Sequence, residues 1–70
     1  MYNKYLDTFI QVAELGSFAK AAEKLYISST AVMKQINSLE DELGLALTLR
    51  DGGGIKLTDS GKSIYNDAKI

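Results

Sequence analysis

Seventy residues, a net charge of −1 and no cysteine or histidine set narrow bounds. They make one small domain near the lower size limit for a self-supporting core, with neither a disulfide framework nor a cysteine- or histidine-built metal site to staple it. Apolar packing must hold it together, from a 46% hydrophobic content, and no apolar run approaches the roughly 20 residues of a membrane helix.

The spacing of Leu6, Phe9, Ile10 and Ala13 predicts an amphipathic helix over residues 3–15, with Tyr2 and Tyr5 packing at its start. Gly16 can take the left-handed conformation that ends it. Ser17 is a good N-cap for a second helix, whose apolar stripe is Phe18, Ala21, Ala22 and Leu25. The alanine pair lets another helix cross close by. This helix is expected to stop at Leu25-Tyr26, Ile27 to plug the turn into the core, and Ser28 to cap the next helix.

The third helix is predicted over about residues 29–43, closed by Gly44. At about 100° per residue, with Val32 at zero, Ile36, Leu39 and Leu43 fall within about 40° and form a core seam. Thr30, Met33, Lys34 and Asn37 fall roughly 100° to 200° away, on the opposite face. A helix that buries one side and shows threonine, methionine, lysine and asparagine on the other suits contact with a DNA groove.

Beyond it, Leu47, Leu49, Ile55 and Leu57 alternate with Thr48, Arg50, Lys56 and Thr58 around Asp51-Gly52-Gly53-Gly54. This predicts a β-hairpin with a glycine-rich tip. Thr58 is placed to cap a last helix with Ile64, Tyr65 and Ala68 as its apolar side. The elements predict a mostly α fold class, a winged helix-turn-helix: a three-helix core, a two-stranded β-hairpin wing, and the start of a further C-terminal helix. Residues 1–58 are expected to form the winged domain and residues 59–70 to begin that last helix.

A pI near 5.2 argues against nucleic acid if taken alone. The distribution says more than the sum. Lys20, Lys24 and Lys34 outnumber Glu23 in the helix-turn-helix, while Glu40, Asp41, Glu42 and Asp51 outnumber Arg50 just after it. The footprint is weak, and the isolated domain is expected to bind loosely.

The residues carrying these elements resemble the N-terminal DNA-binding domain of LysR-type transcriptional regulators. The first helix ends in E-L-G-S-F and is followed by A-A-E-K-L; Ile27-Ser28 precede the reading helix. Gln35-Ile36, Leu39-Glu40 and E-L-G lie along it, and Leu47, Arg50 and the L-T-x-x-G of residues 57–61 complete the match. It runs over essentially the whole chain in order and spacing.

The resemblance implies a bacterial, cytoplasmic regulator acting at the nucleoid, which binds double-stranded promoter DNA as a homodimer or higher oligomer. RNA polymerase is a further partner open to such a protein. An effector-binding domain normally comes after the last helix; it is not in this chain, which is therefore expected to be part of a longer regulator. No cofactor is expected. The chain departs from the family at Ser29-Thr30, where Gln-Pro is usual, and at Met33-Lys34, where Ser-Arg is common. A phenylalanine is frequent at the position of Thr48, and arginines are frequent where the wing tip is Gly52-Gly53-Gly54.

The base-reading candidates are Ser29, Thr30, Met33, Lys34 and Asn37. Lysine can reach guanine acceptors or a phosphate, and the first turn of such a helix approaches base edges. Each has a plainer reading: capping for Ser29 and Thr30, core-edge filler for Met33, solvation for Lys34 and Asn37. The phosphate candidates are Ser17, Lys20, Ser28 and Gln35, with Arg50 and Lys56 flanking the wing turn; edge solubility is the alternative for the last two. Ile64, Tyr65 and Ala68 are dimer-seam candidates, although about three turns is marginal for an isolated helix pair, so dimerisation of this chain is expected to be weak.

Gly61-Lys62-Ser63 looks like the end of a phosphate-binding loop, but Lys56 stands where that loop needs glycine. No catalytic residues are identified, so an enzyme is not expected. The acidic pI, the Glu40-Asp41-Glu42 cluster and the glycine-only wing tip leave one alternative: a winged helix used for protein contact without specific DNA binding.

Overall fold

The computed structural model describes residues 4–51 and 54–68. In chain order these form α1 (Lys4–Leu15), α2 (Phe18–Leu25), α3 (Ser29–Leu43), β1 (Thr48–Asp51), β2 (Gly54–Leu57) and α4 (Asp59–Ala68). The expected contribution of Tyr2, and the start of α1 at residue 3, lie outside the described residues.

Local chemistry sets each helix end. The Gly16 N–H donates to the Val12 carbonyl at 2.8 Å, with Gly16 at φ 67°. Gly44, at φ 68°, closes α3 in the same way onto Glu40. Both are left-handed caps that satisfy a last-turn carbonyl. Ser17 accepts from the Lys20 N–H at 3.2 Å and Ser28 from the Ala31 N–H at 3.0 Å, so both helices of the pair start on a serine.

Helix α2 ends at Leu25, as expected. Tyr26 itself is left-handed, at φ 60° and ψ 40°. The Ile27 N–H donates to the Ala22 carbonyl and the Tyr26 N–H to the Glu23 carbonyl. This is the paired bonding of a Schellman cap, which glycine usually serves. Ile27, the next residue, packs against the core as expected.

Phe9, Val12, Ala21, Ala22, Val32, Ile36, Leu39 and Leu47 are buried together, so the core draws on all three first helices and on the entry to the wing. The buried face of α1 is rotated from the expected one. Thr8, Phe9 and Val12 are inside, whereas Leu6, Ile10 and Ala13 are half-buried. The buried threonine is tolerated because its hydroxyl donates to the Gln35 Oε1 at 2.6 Å. Leu43 is a second correction. It lies in line with the seam, but it is 40% exposed because the last turn of α3 runs past the core.

The hairpin is antiparallel, pairing Thr48 with Leu57, Leu49 with Lys56, Arg50 with Ile55 and Asp51 with Gly54. Asp51 and Gly54, expected in the tip, are therefore in the ladder. Directly opposed residues share a face, so Leu49 keeps company with Lys56 and not with Ile55 and Leu57. Leu49 is accordingly 55% exposed, while Leu47, which precedes the strand, is 0% exposed. Of the four alternating apolar residues, Leu47 is in the core and Ile55 and Leu57 pack against it, whereas Leu49 is exposed.

Two tethers hold the wing. The Glu40 carboxylate accepts the Leu47 N–H at 2.7 Å and the Thr48 N–H at 3.3 Å. On the other strand, the Ile55 N–H donates to the Gly16 carbonyl at 3.2 Å. Helix α4 starts where Thr58 accepts from the Gly61 N–H at 2.9 Å and donates its own hydroxyl to the Ala46 carbonyl at 2.6 Å. The capping role expected of Thr58 is thus present. Ile64 and Tyr65 then pack against the core, and the Tyr65 hydroxyl donates to Glu14 at 3.0 Å.

Candidate nucleic-acid interface

The surface of interest is built from the N-terminal half of α3, the start of α2 and the inner side of β1. Ser29, Thr30, Lys34 and Asn37 are exposed on α3, and Met33 beside them is half-buried. For Thr30, Lys34 and Asn37 the common side follows from the burial of Val32, Ile36 and Leu39 on the other, whereas Ser29 is exposed at the helix start. The Ser28 cap leaves part of the first-turn N–H set of α3 for an outside acceptor, at the positive end of the helix dipole.

Helix α2 brings a second N-terminus. Ser17 is half-buried at its cap and Lys20 is exposed in its first turn. Arg50 comes from the wing. Its guanidinium carbon lies 5.7 Å from the centroid of the Phe18 ring, and its Nη2 donates to the Met33 sulfur at 3.6 Å. Arg50 is thus joined to both helices of the pair. Sequence reasoning had no signal for this link, because three segments distant in the chain make it.

Gln35 is placed differently from the other phosphate candidates. It is half-buried and accepts from Thr8 of α1, which makes it a brace between α1 and α3. Lys56 is exposed and opposite Leu49, on the outer face of the wing, whereas Arg50 is opposite Ile55 on the inner one. The two residues expected to flank the turn as a clamp thus lie on different faces. The dimer-seam candidates Ile64 and Tyr65 pack against the core of their own chain, and Ala68 is half-buried. Glu40 and Gly61, which position the wing and α4, were read only as parts of motifs.

Among the described residues, no helix is long and apolar enough to cross a membrane. A helix pair with a capped second helix, a tethered two-stranded wing and a further packed helix defines the class, a winged helix-turn-helix. The chain belongs to the lysR family of bacterial regulatory helix-turn-helix proteins, whose family model matches residues 4–62.

An uncharacterized HTH-type transcriptional regulator, YxjO of Bacillus subtilis, is 46% identical over 66 residues, which is 94% of this chain and 23% of that protein. The chain therefore spans about a quarter of that relative. Its fold is similar to that in the crystal structure of the CbnR DNA-binding domain with DNA, at TM-score 0.91 and 39% identity, covering 99% of this chain and 79% of that one. The BenM DNA-binding domain in complex with catB site 1 DNA is equally similar, at TM-score 0.91 and 39% identity, covering 99% and 77%.

Proposed function

We propose that this chain is the sequence-specific DNA-binding domain of a bacterial transcriptional regulator, with α3 entering the major groove. One observation carries the reading. The buried seam Val32-Ile36-Leu39 leaves Thr30, Lys34 and Asn37 together on the solvent side of the helix that comes after a tight turn. Membership of the lysR family and the DNA complexes of similar domains support it.

In this reading Thr30, Lys34 and Asn37 approach base edges, and Ser29 sits where the helix enters the groove. Ser17, Ser28, Lys20 and Arg50 fix the domain on the phosphates. We assign no catalytic role, and the setting is the bacterial cytoplasm. Residues 59–68 belong to a linker helix that joins copies in the whole regulator. Because Ile64 and Tyr65 already pack on their own core, this chain alone is read as a weak dimer.

Selection from random duplexes followed by titration of wild type and Lys34→Ala tests the proposal. Lys34→Ala is expected to weaken the selected site by about 1–3 kcal/mol if it reads a base. Binding to the selected site is expected to fall steeply with salt as counterions are released. A wild-type protein that enriches no sequence and shows no salt dependence is a protein-contact module instead.

A further inference from the structure

We propose that Met33 is a seat for the wing arginine rather than a reader of bases: with Phe18 it holds the Arg50 guanidinium in place before DNA arrives. The proposal rests on the DNA-binding reading of α3 and the wing.

Three elements converge on one cation. The hairpin register puts Arg50 opposite Ile55, and Ile55 is anchored by its N–H to the Gly16 carbonyl. Arg50 thereby faces the helices, where the Phe18 ring lies 5.7 Å from the guanidinium carbon. From α3 the Met33 sulfur accepts from Nη2 at 3.6 Å. A guanidinium over an aromatic face is held by the ring quadrupole, and a thioether is a weak acceptor with a polarizable surface.

The chemistry of this seat is informative. Neither neighbour carries charge, so the cation is oriented without being neutralised. A carboxylate in the place of Met33 would hold Arg50 more strongly and cancel the charge a phosphate needs. The guanidinium has five N–H donors in a fixed fork. The sulfur engages Nη2 alone, which leaves donors for a phosphate. Holding the side chain in the free protein also moves its loss of rotamer freedom from binding to folding.

The same contact bears on what Met33 does. Its side chain is half-buried while Thr30, Lys34 and Asn37 beside it are exposed. A methionine turned toward Arg50 has its sulfur engaged within the protein. Its effect on binding then passes through the wing and is blind to base identity.

A double-mutant cycle tests this. Wild type, Met33→Ala, Arg50→Ala and the double variant are titrated over a range of salt against the duplex wild type selects and its single-base variants. Met33→Ala is expected to weaken binding about three- to tenfold, equally across the base variants, and to add nothing once Arg50 is gone. Arg50→Ala is expected to lower the salt slope by about one. Additive losses, or a changed preference at one base position in Met33→Ala, overturn the proposal.

A DNA-free measurement separates failure of the seat from failure of the function. Protons of Arg50 under the Phe18 ring are expected to resonate upfield in wild type and to move toward unfolded values in Met33→Ala, with Met33→Leu as the volume-matched control. Wild-type Arg50 resonances at unfolded positions overturn the seat. A seated arginine in a protein that selects no duplex instead fails the DNA-binding reading.

Discussion

The α-carbon of Gly61 lies against the Leu47 carbonyl so closely that a Cβ built on Gly61 would overlap the oxygen. The contact belongs to a local knot in which the Thr58 N–H donates to that same carbonyl at 3.1 Å and the Thr58 hydroxyl caps α4 through Gly61. The L-T-x-x-G motif is therefore the device that docks α4 on the entry to the wing.

Gly61→Ala is expected to destabilise the domain although it replaces glycine with the best helix former. Alanine gains about 1 kcal/mol of helix propensity, but the obstacle is backbone, which cannot swing aside as a flexible side chain can. Forced repacking of this kind typically costs about 1–3 kcal/mol or more. Urea denaturation with matched m-values measures the net change; a variant as stable as wild type would show that α4 docks by another contact.

The wing makes a sharper prediction, because two leucines two positions apart meet opposite fates: Leu47 precedes β1, whereas Leu49 lies within it opposite Lys56. Leu47 is 0% exposed and Leu49 is 55% exposed. Leu47→Ala is expected to cost about 2–5 kcal/mol through a cavity under the wing. Leu49→Ala is expected to stay within about 1 kcal/mol, since little apolar area leaves water there. Thermal melts of the two variants suffice, and equal losses would mean that Leu47 is not the residue that seats the wing on the core.

How legible these features were in the sequence depends on their range. Ser17, Ser28, Thr58, Gly16 and Gly44 set element ends with bonds to residues three or four positions away, and all five act as their residue types predict. The core seam of α3 was legible for Val32, Ile36 and Leu39, since one buried face imposes a single period. Thr8 was not, because its burial depends on Gln35 twenty-seven positions later. The face of Leu49 depends on whether Asp51 and Gly54 join the ladder, and a shift of one residue reverses every side chain. The exposed row on α3 was anticipated from the helical period. The joining of Arg50 to Phe18 and Met33 was not, since it needs both the register and the packing of α2 against α3.

Glu40 offers a test of how the wing is held. Its carboxylate accepts two backbone N–H groups, from Leu47 and Thr48, and hydrogen bonds to a charged acceptor are worth about 1.5–3 kcal/mol each at most. Glu40 is half-buried, so solvent screening places the expected loss for Glu40→Ala toward the lower end. Glu40→Gln keeps an oxygen in place and is expected to lose about half as much. Hydrogen exchange reads the mechanism directly. The Leu47 and Thr48 amides should lose more protection in Glu40→Ala than amides of α1 do. Uniform loss over the whole domain would assign Glu40 a general role in stability instead.

Tyr26 is the residue whose backbone and side chain disagree. Its conformation is left-handed, at φ 60°, where a side chain's Cβ crowds the following carbonyl at a cost of roughly 1–2 kcal/mol. Its ring is 94% exposed and contributes almost no burial in return. Glycine removes the crowding but frees the unfolded chain, which returns about 0.5–1 kcal/mol. Tyr26→Gly is therefore expected to stabilise by about 0.5–1 kcal/mol. Tyr26→Ala keeps the crowding and is expected to change stability by less than about 0.5 kcal/mol. The turn hands α2 over to α3, so the pair of variants also asks whether the strain affects recognition. If Tyr26→Gly raises the melting temperature and leaves affinity for the selected duplex unchanged, the strain is a local defect of the cap. If it raises stability while weakening binding, the left-handed tyrosine fixes the angle at which α3 meets the groove.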